Sequence, residues 1–275
     1  MLEDVCEKAP LMETSESHAP PRFKLPKFRY LLALIAFAGF FIWSCRGAEL
    51  SLMELFSGLT HMKRLVGEMS PPDLVRLPSV SRAMLVTFQM ALVGSVIGVL
   101  LSFVLATFAA RSLSPHPLVY QLARLVIAFC RSVPDLVWAI FFVASVGLGV
   151  FAGTLTIIVD TVGFCGRFFA ESMEEVDKGP QEALSSLGAS RLSIIGCAVF
   201  PAAMPAFTTA SLFSLEKAVR SSVVLGLVGA GGIGIELKAA MDMFQYQQAA
   251  TIIISVFILV IGVERLSSFI RSKIM

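Results

Sequence analysis

The sequence predicts an all-α integral membrane protein with about six transmembrane helices, and three observations predict it. Of its 275 residues, 56% are hydrophobic and only 15% are charged, whereas a soluble domain of this size carries about 25% charge. Mean hydropathy is +0.80, and the apolar residues come in runs, so the bilayer is the natural solvent. Most of those runs reach the length that a bilayer core of ~30 Å demands of a helix, about 20 residues.

The elements follow in chain order. Residues 1–28 are polar and carry Pro10, Pro20, Pro21 and Pro26, the composition of a disordered cytoplasmic tail and not of a signal peptide. Arg22, Lys24, Lys27 and Arg29 flank the first apolar run, 29–45, which is slightly short and ends near Trp43, an interfacial anchor. Residues 46–79 mix charges with Leu52, Leu55, Phe56 and Leu59 at helical spacing, and break at Pro71-Pro72. That pattern predicts an external connector with an amphipathic helix. Residues 80–275 form the expected core, with spans at about 80–109, 118–146 (broken at Pro134), 151–170, 193–214 and 248–269. Between the last two lies a mixed segment, 215–247, in which Glu216, Lys217 and Arg220 precede a glycine-rich apolar run.

Six spans with the N-terminus inside put the C-terminus inside as well. The inner flanks then hold twelve Lys/Arg: Arg22, Lys24, Lys27, Arg29, Arg111, Arg124, Arg167, Lys178, Arg191, Arg265, Arg271 and Lys273. The outer segments hold eight: Arg46, Lys63, Arg64, Arg76, Arg82, Lys217, Arg220 and Lys238. The bias follows the positive-inside rule and places a polar island, 171–191, on the cytoplasmic side.

Nothing in the chain points to chemistry. A net charge of +2 is too small to argue for nucleic acid. The five cysteines share no CxxC spacing and the three histidines are scattered, which leaves no metal set and no triad. GxxxxGK[ST], HExxH and GxSxG are all missing, so no catalytic residue, metal or cofactor is expected, and energy has to come from another subunit. Gly229-x-Gly231-x-x-Gly234 formally matches a dinucleotide fingerprint. That fold would need a preceding strand and an acidic residue about 20 positions on, where this sequence reads Thr251-Ile252-Ile253-Ile254.

The island reads ESMEEVDKGPQEALSSLGASR. Pro180 suits the first turn of a helix and Gly188 the left-handed residue after its end. Ala183, Leu184 and Leu187 share one side of that short helix, an apolar face for a partner's groove or for lipid headgroups. The register Glu182-Ala183, Gly188, Pro201 resembles the cytoplasmic coupling loop of bacterial ABC-importer permeases. That pattern is Glu-Ala-Ala, three residues, Gly, nine residues, Ile, any residue, Leu-Pro; this chain departs from it at Leu184, Ala198 and Phe200.

Three further motifs are similar to the permease subunit of phosphonate ABC importers (PhnE-type) over roughly residues 80–270. They are Thr87-Phe88-Gln89-Met90-Ala91, the stretch Arg131-Ser132-Val133-Pro134-Asp135-Leu136-Val137-Trp138-Ala139, and the block from Val223 to Gly234. Methionine-type permeases carry a similar glycine block. The resemblance implies a type I importer (MetI-like) core in a bacterial inner membrane, working by alternating access as a homodimer. It implies two copies of an ABC ATPase subunit docked through residues 177–191, and a periplasmic or lipid-anchored phosphonate-binding protein. ATPase coupling would rest on Glu182, Ala183, Leu184, Leu187, Gly188 and Pro201. Gly226, Gly229, Gly231, Gly232 and Gly234 would lie in an irregular segment, 222–234, near the pore at the subunit interface. Bulky replacements at Gly229 or Gly231 are then expected to block transport while expression survives.

Charges within apolar runs raise a second question, because each costs about 2.5–3.5 kcal/mol to insert. Arg131 with Asp135, and Glu216 with Arg220, stand four apart; Asp160 and Arg167 are isolated. Each pair is either a local salt bridge or part of a translocation path whose arginines attract an anion. Two alternatives stay open: a permease for phosphite, phosphate or methionine, and an ion-coupled secondary transporter.

Overall fold

The computed structural model describes residues 28–49 and 51–274; the expected tail up to residue 27 lies outside them. Every element among the described residues is helical. Contacts divide the chain into two units, 1–61 and 62–275.

The first unit holds α1 (Phe28–Gly47) and the opening turns of α2 (Leu52–Glu68). The apolar part of α1 is Leu32–Gly47, about 24 Å of helix against a bilayer core of ~30 Å. Its aromatic rings pair along the helix, Phe37 on Phe41 and Phe40 on Trp43, with centroids 6.4 and 5.8 Å apart.

The second unit continues with α3 (Leu77–Ala109), α4 (Pro117–Ser132), α5 (Asp135–Val146) and α6 (Val150–Glu175). After these come α7 (Lys178–Ser186), α8 (Arg191–Ile194), a π-helical turn at Ile195–Val199, α9 (Phe200–Leu227), α10 (Ile233–Asp242) and α11 (Tyr246–Ile274). Among the described residues, four helices are long and apolar enough to cross a membrane: α3, α6, the continuous Arg191–Leu227, and α11. α4 and α5 pass the same test as a pair bent by 91°, so the expected third span is two helices. The bend has a local cause. Pro134 offers no N–H and drives Val133 out of the helical region, to φ −90° and ψ 123°.

Small residues set the packing, as in membranes generally. Gly94 faces Ile157 and Gly98 faces Thr161, so close that any Cβ would overlap them. The backbone N–H of Arg111 donates to Glu174 at 2.7 Å. All three pairs are separated by 63 positions, so α3 and α6 run parallel and in register. Along α9 the order reverses. Phe207 meets Phe169 edge to face, Ser214 donates to Thr161 and Lys217 meets Asp160, so α9 is antiparallel to α6. α4 is antiparallel as well, with Ile127 on Gly166 and the Cys130–Arg131 backbone on Gly163. Phe103, Phe169 and Phe207 form an aromatic core at the α7 end of the bundle, with centroids 4.7–5.1 Å apart.

Two expectations about α9 are corrected. The fifth span does not stop near 214 but continues to Leu227. Lys217 and Arg220 therefore belong to the spanning helix and not to an outer segment. The π-turn precedes Pro201, whose ring would clash with the carbonyl four residues back in a regular helix; widening to an i−5 bond relieves this, and the Phe200 N–H donates to Ile195.

Candidate coupling loop and translocation face

The α7 loop is built by capping. The Asp177 carboxylate accepts the Gly179 N–H at 3.1 Å and starts the helix. Gly188, at φ +79°, ends it. Its N–H donates to Ser185 at 3.0 Å and that of Ala189 to Leu184 at 3.1 Å, the paired bonds of a Schellman motif. Leu187, 83% exposed, and the exposed Ala183 and Glu182 leave this helix with an open face, while Leu184 is half-buried. Pro201 is exposed further along, at the start of α9.

A clasp that the sequence reading did not find holds the base of this loop. Glu174, at the end of α6, accepts two hydrogen bonds from the Arg124 guanidinium, both 2.9 Å, and the Arg111 N–H. Arg124 also donates to the Ala109 carbonyl at 3.0 Å, and Arg191 donates to Ser114 at 3.4 Å. These contacts tie the C-terminal ends of α3 and α6 to the middle of α4, and the start of α8 to the α3–α4 loop. No residue spacing along the chain marks Glu174 as the hub, since its partners lie 50 and 63 positions away.

The charge pairs differ from the local spacing. Neither Arg131–Asp135 nor Glu216–Arg220 forms a salt bridge. The 91° break separates the first pair, and Asp135 instead accepts the Leu136 N–H at 2.9 Å. Glu216 is buried and bridges to Arg271 of α11 at 3.0 Å. Asp160 binds Lys217 through both oxygens, at 2.6 and 2.8 Å, and Lys217 also lies over the Phe164 ring. Asp160 sits ten residues into α6, about 15 Å along a helix of ~39 Å, so this pair lies near mid-span.

These groups share a face. On α6, Asp160, Phe164, Arg167 and Glu171 recur at helical spacing, and on α9, Phe213, Lys217, Arg220 and Val224 do the same. None of the eight is buried. Arg167 pairs with Glu171 at 2.7 Å. Among the described residues, Arg131 and Arg220 lie on or beside this face without a carboxylate partner. The C-terminal dipole of α4 offsets only about 0.3–1 kcal/mol of the cost of Arg131.

The glycine block is a packing hub. Residues 222–227 are helical, and the irregular part is only 228–232, a shorter break than expected. Gly226 and Gly234 press backbone on backbone, a Cβ on Gly231 would lie 2.7 Å from Val150, and one on Gly232 would lie 2.6 Å from the Thr87 hydroxyl. The Ile233 N–H donates to that hydroxyl at 2.7 Å. Gly229, Gly231 and Gly232 all have positive φ. This geometry revises the expectation for Gly231, because a bulky side chain there collides inside the fold and expression would suffer along with transport.

Residues 98–273 match the family model described as binding-protein-dependent transport system inner membrane component. The chain belongs to that family. The phosphite transport system permease protein PtxC of Stutzerimonas stutzeri is 39% identical over 222 residues, 81% of each chain. The phosphate-import permease protein PhnE of Mycolicibacterium smegmatis is 35% identical over 88% of this chain and 47% of its own length. Among solved structures, the MetNI methionine ABC transporter in an inward-facing form superposes with a TM-score of 0.61 at 23% identity, covering 71% of this chain and 96% of the other. This permease therefore has the type I ABC-importer fold, and its similarity to PhnE-type permeases runs through most of its length.

Proposed function

We propose that this permease carries phosphonates, or the closely related phosphite and phosphate, as the membrane subunit of an ATP-driven, binding-protein-dependent importer. The observation that carries the cargo reading is the α6–α9 face and the end of α4 beside it, where, among the described residues, Arg220 and Arg131 have no carboxylate partner. Guanidinium forks match the oxygens of a phosphorus oxyanion. The similarity to PtxC and PhnE supports the same class of cargo.

The rest of the assembly follows. Two copies of the chain bring their α6–α9 faces together around the path. α7, with Glu182, Ala183, Leu187 and Gly188, docks into an ABC ATPase subunit on the cytoplasmic side, one for each copy. Both termini are cytoplasmic in a bacterial inner membrane. A periplasmic or lipid-anchored binding protein delivers cargo to the opposite face. ATP-driven closure of the ATPase pair shifts α7, and the Glu174 clasp passes that motion to α3, α4 and α6 together, opening the path on alternate sides. The ion pairs Asp160–Lys217 and Glu216–Arg271 neutralise charge without holding cargo, so binding along the path stays weak enough to release it.

Uptake of radiolabelled methylphosphonate into vesicles holding the permease, its ATPase and its binding protein tests this reading. ATP-dependent accumulation that unlabelled phosphite or phosphate competes away supports it. Competition by methionine alone would move the cargo to another class, and uptake that follows a proton or sodium gradient without ATP would replace the mechanism.

A further inference from the structure

We propose that the cleft between α4 and the C-terminal half of α6 is a binding site for a tetrahedral phosphorus oxyanion, held by Arg131 and Arg167, with Glu171 as a built-in counter-ion whose charge opposes the ligand. The proposal rests on the phosphorus-oxyanion reading above and gives it a place. The cleft has a volume of about 420 Å³, and its lining brings three guanidinium groups, Arg124, Arg131 and Arg167, against one carboxylate, Glu171. That volume is in the range of small-molecule sites.

The three arginines are not equivalent. Arg124 is committed to Glu174 and to the Ala109 carbonyl. Arg167 donates only its Nε–H to Glu171, at 2.7 Å, and among the described residues its terminal nitrogens make no hydrogen bond. The Arg131 side chain makes none among the described residues either. The open donors in the cleft therefore belong to Arg131 and Arg167. They are brought within about a helical turn of each other because Gly163 lets the Arg131 backbone rest directly on α6. Ile127 and Ala170 give the cleft an apolar floor, and low polarity there strengthens any charge interaction.

The same chemistry reaches this depth from two sources, a free oxyanion on the path or the phosphate of an anionic phospholipid headgroup. An anion entering the cleft competes with Glu171 for Arg167. The site is thereby partly masked when empty, and its affinity is set by a residue that does not touch the ligand.

Binding is measured on the purified full chain in nanodiscs. In one arm, zwitterionic nanodiscs are titrated with methylphosphonate and followed by phosphorus NMR. In the other, nanodiscs containing phosphatidylglycerol are examined for retained headgroup by native mass spectrometry. Arg131→Gln and Arg167→Gln are expected to weaken binding about tenfold each, the loss of charge-assisted hydrogen bonds. Glu171→Gln is expected to tighten it several-fold, a gain that a misfolded variant cannot produce. This order of variants in the first arm assigns the site to the free oxyanion, and in the second arm to the headgroup; either supports the proposal. Binding that ignores all three variants, or is undetectable in both arms, overturns it. Headgroup binding without phosphonate uptake would keep the site and remove the cargo reading; phosphonate uptake with a silent cleft would do the reverse.

Discussion

Lys217 and Asp160 meet near the middle of the span with side chains 36% and 22% exposed. Removing one partner leaves a lone charge at membrane depth. Lys217→Met is expected to destabilise the permease by about 1–3 kcal/mol, less than the 3–5 of a fully buried pair because neither side chain is fully buried. Asp160→Asn added to it restores most of the loss, and thermal unfolding of the two single variants and the double variant in detergent measures this as a coupling energy. The sequence marked Asp160 as an isolated costly charge and paired Arg220 with Glu216 by spacing along one helix. Glu216 bridges to Arg271, 55 positions away, because four residues turn a helix by about 40° and the edge of the core falls between Glu216 and Arg220. Arg131 and Asp135 lose their helical register at Pro134. At Gly231, Gly231→Val is expected to cost about 2–4 kcal/mol through positive φ and overlap with Val150, lowering the folded yield along with transport.

Among the elements, α7 gives the sharpest test. Gly188 is required for its φ of +79°, and nothing lies within 4 Å of a Cβ built there. Asn tolerates the left-handed region, whereas a β-branched residue does not. Gly188→Asn is therefore expected to keep ATPase stimulation by the loaded binding protein near the wild-type level, and Gly188→Val to lose most of it. Equal loss in both would mean that the loop needs the bare backbone itself and not its turn. Both ends of α7 were legible, Gly188 by type and Pro180 by position. The break after Val133 was legible from Pro134, but its 91° angle was not. The sequence places the end of α9 too early because Glu216, Lys217 and Arg220 read as a polar edge. Glu216 and Lys217 are tolerable inside a span because of their partners on α11 and α6, and Arg220 because it stands on the half-exposed face.

For the whole molecule, hydropathy fixed the membrane class, since runs of apolar residues have no other solvent that suits them. What hydropathy could not show is which face of each helix looks at lipid and which at the path. The proposed path face rests on α6 and α9 packing antiparallel, which brings their half-exposed charges onto one side. The Glu174 clasp makes a prediction at this scale: Glu174→Gln weakens the hold on Arg124 and Arg111, so ATP hydrolysis is expected to continue while uptake per ATP falls. A variant with unchanged transport per ATP would show that α7 moves the bundle without it.

The most direct test of the account measures ATP hydrolysis and methylphosphonate uptake side by side in vesicles holding the permease with its ATPase and binding protein. Wild type is compared with Arg131→Gln and Arg220→Gln. ATP-dependent uptake is expected in wild type, and in both variants hydrolysis persists while uptake falls about tenfold, as expected for the loss of a charge-assisted contact. Uptake at the wild-type rate in both variants would contradict a path lined by those arginines, and uptake without ATP would contradict the importer itself.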